Sequence, residues 1–293
     1  MLIVAITGNS IVLWIVLAHR RMRTITNYFL LNLSIADLLM ASLNCVFNFI
    51  FMIDSDWPFG STYCTINNFI ANVTVAASVF TLVAISFDRY IAIMRPLQHR
   101  TSRKKAILFV LIIWLTSSIL AAPCLIYSHV SSRKYSSGKT RTVCFMLWPD
   151  GGYPTSKTDY IYNIVFLVLT YVIPIVSMLI CYTLMGRELW GSRSIGEHTE
   201  RQLESIQLKK KVVRMFVVVV TIFAGFGYIF NELFVFAALR HGTKHTPKST
   251  FMVVRMFVVV VTIFAGFGYI FNELFVFAAL RHGTKHTPKS TFM

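Results

Sequence analysis

Three groups of residues in this chain are placed where their chemistry needs an explanation. Asp37 lies inside an apolar run, Leu33-Ser34-Ile35-Ala36-Asp37-Leu38-Leu39. An ionisable group at that depth is costly, so it must face other protein and find partners. Asn9 and Ser78, at comparable depth in neighbouring apolar runs, are the candidates. The set reads either as a polar cluster that glues helices together or as a sodium-binding site sensitive to conformational state. Asp88-Arg89-Tyr90 closes another apolar run. An adjacent acid and arginine at a helix end is, taken alone, a solvated pair of little energetic weight. Asn44 and Asn48 are four apart, hence on one helix face, and Asn67 and Asn68 open the next run. Amides in an apolar helix want partners, and hydrogen bonding between helices is their plainest use. No His, Cys or Asp/Glu residues fall at metal-ligand or nucleophile spacing, so no catalysis is expected.

The elements that must position these residues are membrane spans. Of 293 residues, 56% are hydrophobic and only 14% charged, against roughly a quarter charged in a soluble domain. Too little polar surface remains to cover a soluble core, which excludes a soluble enzyme, a secreted disulfide scaffold and a disordered tail. Apolar runs lie near 2–18, 27–53, 65–94, 106–127, 160–186, 212–239 and 253–280. Each is close to the twenty residues a helix needs to cross hydrocarbon, or longer. Membrane strands would alternate in character, and these runs do not. The fold class expected is an all-α membrane protein, a seven-helix-type bundle.

Charge orients the bundle. The loop at 19–26 holds Arg20, Arg21 and Arg23; the loop at 54–64 holds no Lys or Arg; the loop at 95–105 holds five. The loop at 187–211 holds six, and only 128–159, with five, breaks the alternation. Lys/Arg-rich loops face the cytoplasm, and long loops weigh less in that rule. The first span therefore enters from outside, and the expected location is the plasma membrane, multi-pass, with an extracellular N-terminus. The net charge of +16 is spread by loop and forms no single patch, so no nucleic-acid partner is expected; membrane lipid is. Positive charge follows the first apolar run at 20–23 instead of preceding it. That is the pattern of a membrane helix rather than a signal peptide, with a very short tail ahead of it or an incomplete start.

Taken in order, these motifs resemble the rhodopsin-like (class A) G-protein-coupled receptors. Gly8-Asn9-Ser10-Ile11-Val12 is similar to that family's first-helix motif, and Leu33 to Leu38 to its second. Cys64 opens helix three and Asp88-Arg89-Tyr90 closes it; Ile91 to Leu97 with Pro96 looks like the following loop. Trp114 lies in mid-helix four, and Pro174 followed by Tyr182 matches helix five. More narrowly, Leu189-Trp190-Gly191-Ser192, Gln207 to Phe216 and Trp57-Pro58-Phe59-Gly60 resemble tachykinin (neurokinin-type) neuropeptide receptors. The resemblance implies a neuropeptide ligand and a heterotrimeric G-protein as partners. It implies that Arg89 engages Asp88 at rest and is released on activation, with Tyr182 stabilising the open form. It places Asn44, Asn48, Asn67 and Asn68 along the peptide pocket, where amides offer both donors and acceptors. The basic stretches Arg100–Lys105 and Lys209–Lys211 would present the G-protein surface or serve topology alone.

Cysteine usage agrees. Cys45, Cys124 and Cys181 lie inside spans as small hydrophobes. Cys64 and Cys144 fall on the extracellular side by the charge argument, where oxidation is permitted. Their pairing, which the family pattern also implies, would staple the 128–159 loop onto helix three. Asn32-Leu33-Ser34 and Asn72-Val73-Thr74 match the glycosylation pattern but sit within spans and are discounted.

Beyond Ala224 the resemblance stops. Where the family has a Cys-Trp-x-Pro turn in helix six, this chain has Gly225-Phe226-Gly227-Tyr228. The family's helix seven, with its Asn-Pro-x-x-Tyr end, has no counterpart. Residues 212–252 instead recur without change as 253–293. A tandem copy must cross in the opposite direction, so its identical basic flanks cannot both obey the charge rule. The organisation read from the sequence is therefore a receptor-like bundle over 1–239, a basic loop over 240–252 and a duplicate over 253–293, an assembly artefact or a recent duplication. Two other functions stay open at this point. Glu232 and Glu273 in inverted copies suit a transporter or channel, and the departures suit a truncated, non-signalling receptor.

Overall fold

In a computed structural model, the described residues are 2–19, 22–54, 56–95, 102–134, 140–151 and 155–191. The expectations for 212–239, 240–252 and 253–293, with Glu232 and Glu273, lie outside them. Within the described residues the first five apolar runs are all helical. The helix α1 covers Leu2–Ala18, and span two is built from α2 (Ile25–Met40), a π turn over Ala41–Cys45 and α3 (Val46–Asp54). Span three is the single helix α4 (Gly60–Met94) and span four is α5 (Arg103–Tyr127). Span five joins α6 (Lys157–Leu167), a second π turn at Val168–Val172 and α7 (Ile173–Gly191). Four of these spans are long and apolar enough to cross a membrane; α1 is shorter. At 1.5 Å per residue the 35 residues of α4 run about 50 Å. That exceeds the roughly 30 Å of hydrocarbon, so both ends of α4 emerge from it.

The helix starts follow the side chains available. Thr24 caps α2 by accepting from the Asn27 amide, and Ser102 caps α5 by accepting from that of Lys105. Each satisfies an amide that the first turn leaves without a partner. Pro174 explains the second π turn. It has no N–H and its ring crowds the preceding turn, so the chain widens there instead of holding α geometry.

The bundle packs around α4. Phe29, Leu30 and Leu33 from α2, Val79 and Ile85 from α4, Ala106 from α5, and Met178, Cys181, Tyr182 and Met185 from α7 form its main buried cluster. Outward faces remain apolar: Leu108, Leu111, Leu115 and Ile119 of α5 are exposed at helical spacing. Asn32 joins three spans. It donates to Thr81 Oγ1 (2.7 Å) and accepts from Trp114 Nε1 (2.6 Å), while only 2% exposed. A buried amide this well partnered is a helix–helix tie, and its sequon is inaccessible, as expected.

Among the described residues the 128–159 loop departs from an all-helical architecture by forming a hairpin. Strand β1 (Ser128–Lys134) pairs antiparallel with β2 (Thr140–Met146), with Ser132 opposite Thr142 and Val130 opposite Cys144. Its sequence carries little alternation of apolar and polar residues. What holds it is attachment to its surroundings.

Candidate functional site

The N-terminal end of α4 is tied in three ways. Gly60 begins the helix at φ +75°, a conformation that favours glycine, and its carbonyl accepts from Trp57 Nε1 at 3.0 Å. Trp57, 3% exposed, packs with Phe51 and Phe59 edge-on and stacks on Tyr63. Cys64 and Cys144 form a disulfide, with Cα atoms 5.6 Å apart and a sequence separation of 80. The expected staple is therefore present. The loop before α4 also grips β2 through its backbone: Trp57 N–H donates to the Thr142 carbonyl (2.9 Å), and the Thr142 N–H donates to Asp56 Oδ1 (2.6 Å).

The far end of the loop is anchored separately. Trp148 Nε1 donates to Asp159 Oδ1 at 2.7 Å, and the indole packs on Tyr127 and Tyr162. Asp150 accepts from Ser156 Oγ (2.6 Å) and from the Thr158 amide (2.9 Å). Those two bonds hold its carboxyl well below the usual carboxylate range, at about 2.

Below the disulfide lie the four asparagines. Asn44 Nδ2 donates to the Asn67 carbonyl (3.2 Å) and to Asn67 Oδ1 (3.1 Å). Asn48 Nδ2 donates to the Asn44 carbonyl (3.0 Å) and to Asn67 Oδ1 (3.4 Å). Asn44, Asn48 and Asn67 are thus one buried cluster across spans two and three, the helix-to-helix use their types allow. Asn68 turns elsewhere and donates to Ser128 Oγ at the root of the hairpin (3.0 Å). Halfway down, Ser78 Oγ donates to Asp37 Oδ1 across 3.5 Å, a long contact, and Asp37 Oδ2 is buried with no hydrogen-bond partner among the described residues. Asn9, fully buried on α1, donates back to the Ala5 carbonyl at 2.9 Å.

At the C-terminal end of α4 two side-chain pairs stand out among the described residues. Asp88 Oδ2 accepts from Thr26 Oγ1 in the first turn of span two, at 2.7 Å. The Tyr182 hydroxyl sits 2.5 Å from Ser86 Oγ, both residues buried, and Arg89 lies within electrostatic range of Tyr182. Tyr90 is half-buried against the main cluster. Thr26 and Ser86 escape a reading of the sequence because an isolated hydroxyl in a helix carries no spacing signal. Trp148 and Asp159 escape it because they meet only after the loop folds back.

One end of a central apolar helix fastened to an oxidised loop, the other closing on an Asp-Arg-Tyr triplet, and spans long enough to cross a bilayer define a helical membrane protein. The family model of the seven-transmembrane receptors (rhodopsin family) matches residues 8–265, and the chain belongs to that family. The match runs through the first copy of the repeat and into the second. Among its relatives, tachykinin-like peptides receptor 86C of Drosophila melanogaster is 67% identical over 81% of this chain and 47% of its own length. Tachykinin-like peptides receptor 99D of the same organism is 49% identical over 80% and 45%, respectively. The human neuromedin-K receptor is 40% identical over 80% and 49%. The chain spans about half the length of these curated relatives.

Proposed function

We propose that the protein is a receptor for a tachykinin-like neuropeptide, lying in the plasma membrane with its N-terminus outside and passing ligand binding to a cytoplasmic heterotrimeric G-protein. The observation that carries this is α4 itself. One unbroken helix holds Cys64 and Asn67 at one end and Asp88-Arg89-Tyr90 at the other. A peptide that shifts the disulfide end relative to span two can therefore bias the triplet end. Asn44, Asn48, Asn67 and Asn68 lie along the peptide's route, and the Asn44–Asn48–Asn67 amides exchange their mutual hydrogen bonds for bonds to its backbone and terminal amide groups. Arg89 is the group released toward the G-protein, and Tyr182, here held by Ser86, stabilises the released form. The apolar outer faces of the spans meet lipid.

Asp37 fits a sodium ion. Its Oδ2 is a buried carboxylate oxygen that no donor among the described residues satisfies, and Ser78 supplies a hydroxyl beside it. A small hard cation takes oxygen ligands of this kind. Asp37 and Ser78 would hold it, and the ion would offset the buried charge and favour one conformational state.

The test is nucleotide exchange on purified G-protein with the full chain in membranes and synthetic tachykinin-like peptide, with and without sodium. Exchange that rises with peptide, and whose sodium dependence disappears in Asp37→Asn, supports the reading. Peptide binding without exchange would assign the chain to non-signalling receptors, and substrate flux without either would assign it to transporters.

A further inference from the structure

The π turn at Ala41–Cys45 carries Asn44 and lies between the face that bears Asp37 and the residue Asn48. A wider turn has a backbone cost. Its N–H groups reach one residue further back, and on the return to α spacing one carbonyl is passed over. Inside a membrane span a carbonyl without a donor is expensive, so another group must meet it. Side chains do so at this turn. Ser42 Oγ donates to the Leu38 carbonyl at 2.6 Å and Asn48 Nδ2 to the Asn44 carbonyl at 3.0 Å, both within span two. The Leu43 carbonyl instead accepts from the next span, where Tyr63 Oη donates to it at 2.7 Å.

Tyr63 is held in place for that bond by groups other than its hydroxyl. Its ring packs on Phe47 of α3, with centroids 4.2 Å apart, and stacks on the buried Trp57. The next residue is Cys64, so the disulfide fixes the backbone from which the ring extends. Tyr63 also lies four residues before Asn67, one turn along the same face of α4. Successive turns of α4 thus hold successive features of span two. Tyr63 holds the Leu43 carbonyl, and Asn67 accepts from the amides of Asn44 and Asn48.

We propose that Tyr63 is a positioning residue for peptide binding: its hydroxyl holds the π turn open and so aims Asn44 and Asn48 at Asn67. The inference rests on the peptide-receptor reading above and adds the group that sets the geometry of its asparagines. Without the Tyr63 hydroxyl, the widened turn loses the donor that α4 supplies. Tightening toward α geometry then turns the face of α3 that carries Asn48 away from Asn67. Tyr63 acts through the asparagines and not on the peptide itself.

The test uses the full chain in phosphatidylcholine nanodiscs, with two readouts. One is hydrogen exchange by mass spectrometry on the ligand-free chain; the other is anisotropy of a fluorescein-labelled synthetic tachykinin-like peptide. Tyr63→Phe keeps the ring and removes only the donor. Amides 44–48 are expected to exchange faster in this variant, with no change over 57–64. Peptide affinity is expected to fall about tenfold, equivalent to roughly 1.4 kcal/mol. Thr65→Val removes a hydroxyl that bonds the Ser61 carbonyl of its own helix, and should change neither readout. A double-mutant cycle with Asn48→Ala separates positioning from mere stabilisation. If Tyr63 acts through Asn48, its loss costs little more once Asn48 is gone, whereas independent contributions add. If Asn48→Ala binds too weakly to measure, the two readouts on Tyr63→Phe decide. Unaltered exchange at 44–48, unaltered affinity in Tyr63→Phe, or losses that add would each overturn the proposal. No peptide binding by the unaltered chain sinks the receptor reading, and this role with it. Peptide binding that Tyr63→Phe leaves untouched sinks this inference alone.

Discussion

The two ends of α4 are built on different principles. At the Cys64 end the helix is fixed by a covalent bond, a buried indole and two hydrogen bonds between the preceding loop and the Thr142 backbone, one from the Trp57 N–H and one to the Asp56 side chain. At the Asp88 end the described attachments are noncovalent: the Thr26 hydroxyl on Asp88, the Tyr182 hydroxyl beside Ser86, and the main buried cluster around Ile85 and Tyr90. The first end costs several kilocalories to move. The second is held by packing and hydrogen bonds, which can exchange partners when a ligand shifts the helix. A helix fastened covalently at one end and by exchangeable contacts at the other delivers a displacement where its contacts can exchange.

Removing the covalent tie should have the largest effect. Closing an 80-residue loop is worth about 4–5 kcal/mol in the chain-entropy account. Cys64→Ser or Cys144→Ser should sharply lower the yield of folded chain and expose the hairpin to protease, and limited proteolysis of membranes reads this. A hairpin as protected as in the unaltered chain would mean that Trp57 and Asp56 suffice, and the contrast between the ends would shrink.

Thr26→Val should act at the opposite end and leave the hairpin unaffected. It removes the donor to Asp88, an interaction of about 1.5–3 kcal/mol if the carboxylate is charged. Hydrogen exchange should rise over the last turns of α4 and the start of α2, with no change near Cys64. Exchange that rises at both ends would show the helix to be uniformly held.

Asp150→Asn should have the smallest effect. Because the folded pKa of Asp150 is lowered from 3.8 to about 2, its contribution is fully present above the ordinary carboxylate range. It is lost as pH falls toward 2. The variant should differ from the parent at neutral pH only in the local order at the start of α6, and the two should converge in acid. Nuclear magnetic resonance of the Thr158 amide would detect it.

How much of this was legible beforehand varies with the kind of signal. The five spans could be read because a stretch that crosses hydrocarbon has to be apolar over its whole length, whatever it packs against. The Cys64–Cys144 pair could be read because alternating loop charge put both on one side and the family pattern agreed. The hairpin could not, since Ser128–Lys134 is a polar strand held by the disulfide and by Asp56 and Trp57. Asn44, Asn48 and Asn67 were grouped correctly by spacing, but spacing could not separate Asn68, whose partner Ser128 comes from 60 residues further on. Thr26 was invisible for a similar reason: its partner is remote and its own neighbourhood is ordinary.

The π turn at Ala41–Cys45 has a bearing on descent. It accommodates one more residue than an α-helix would between the face that carries Asp37 and the face that carries Asn48. Loss of one residue inside 41–45 would tighten the turn to α geometry and leave both faces where they are. The same loss two turns earlier would swing every following side chain by about 100°. Among relatives, a gap within this span should therefore fall at these five positions, and chains of unequal length can keep the same buried asparagines.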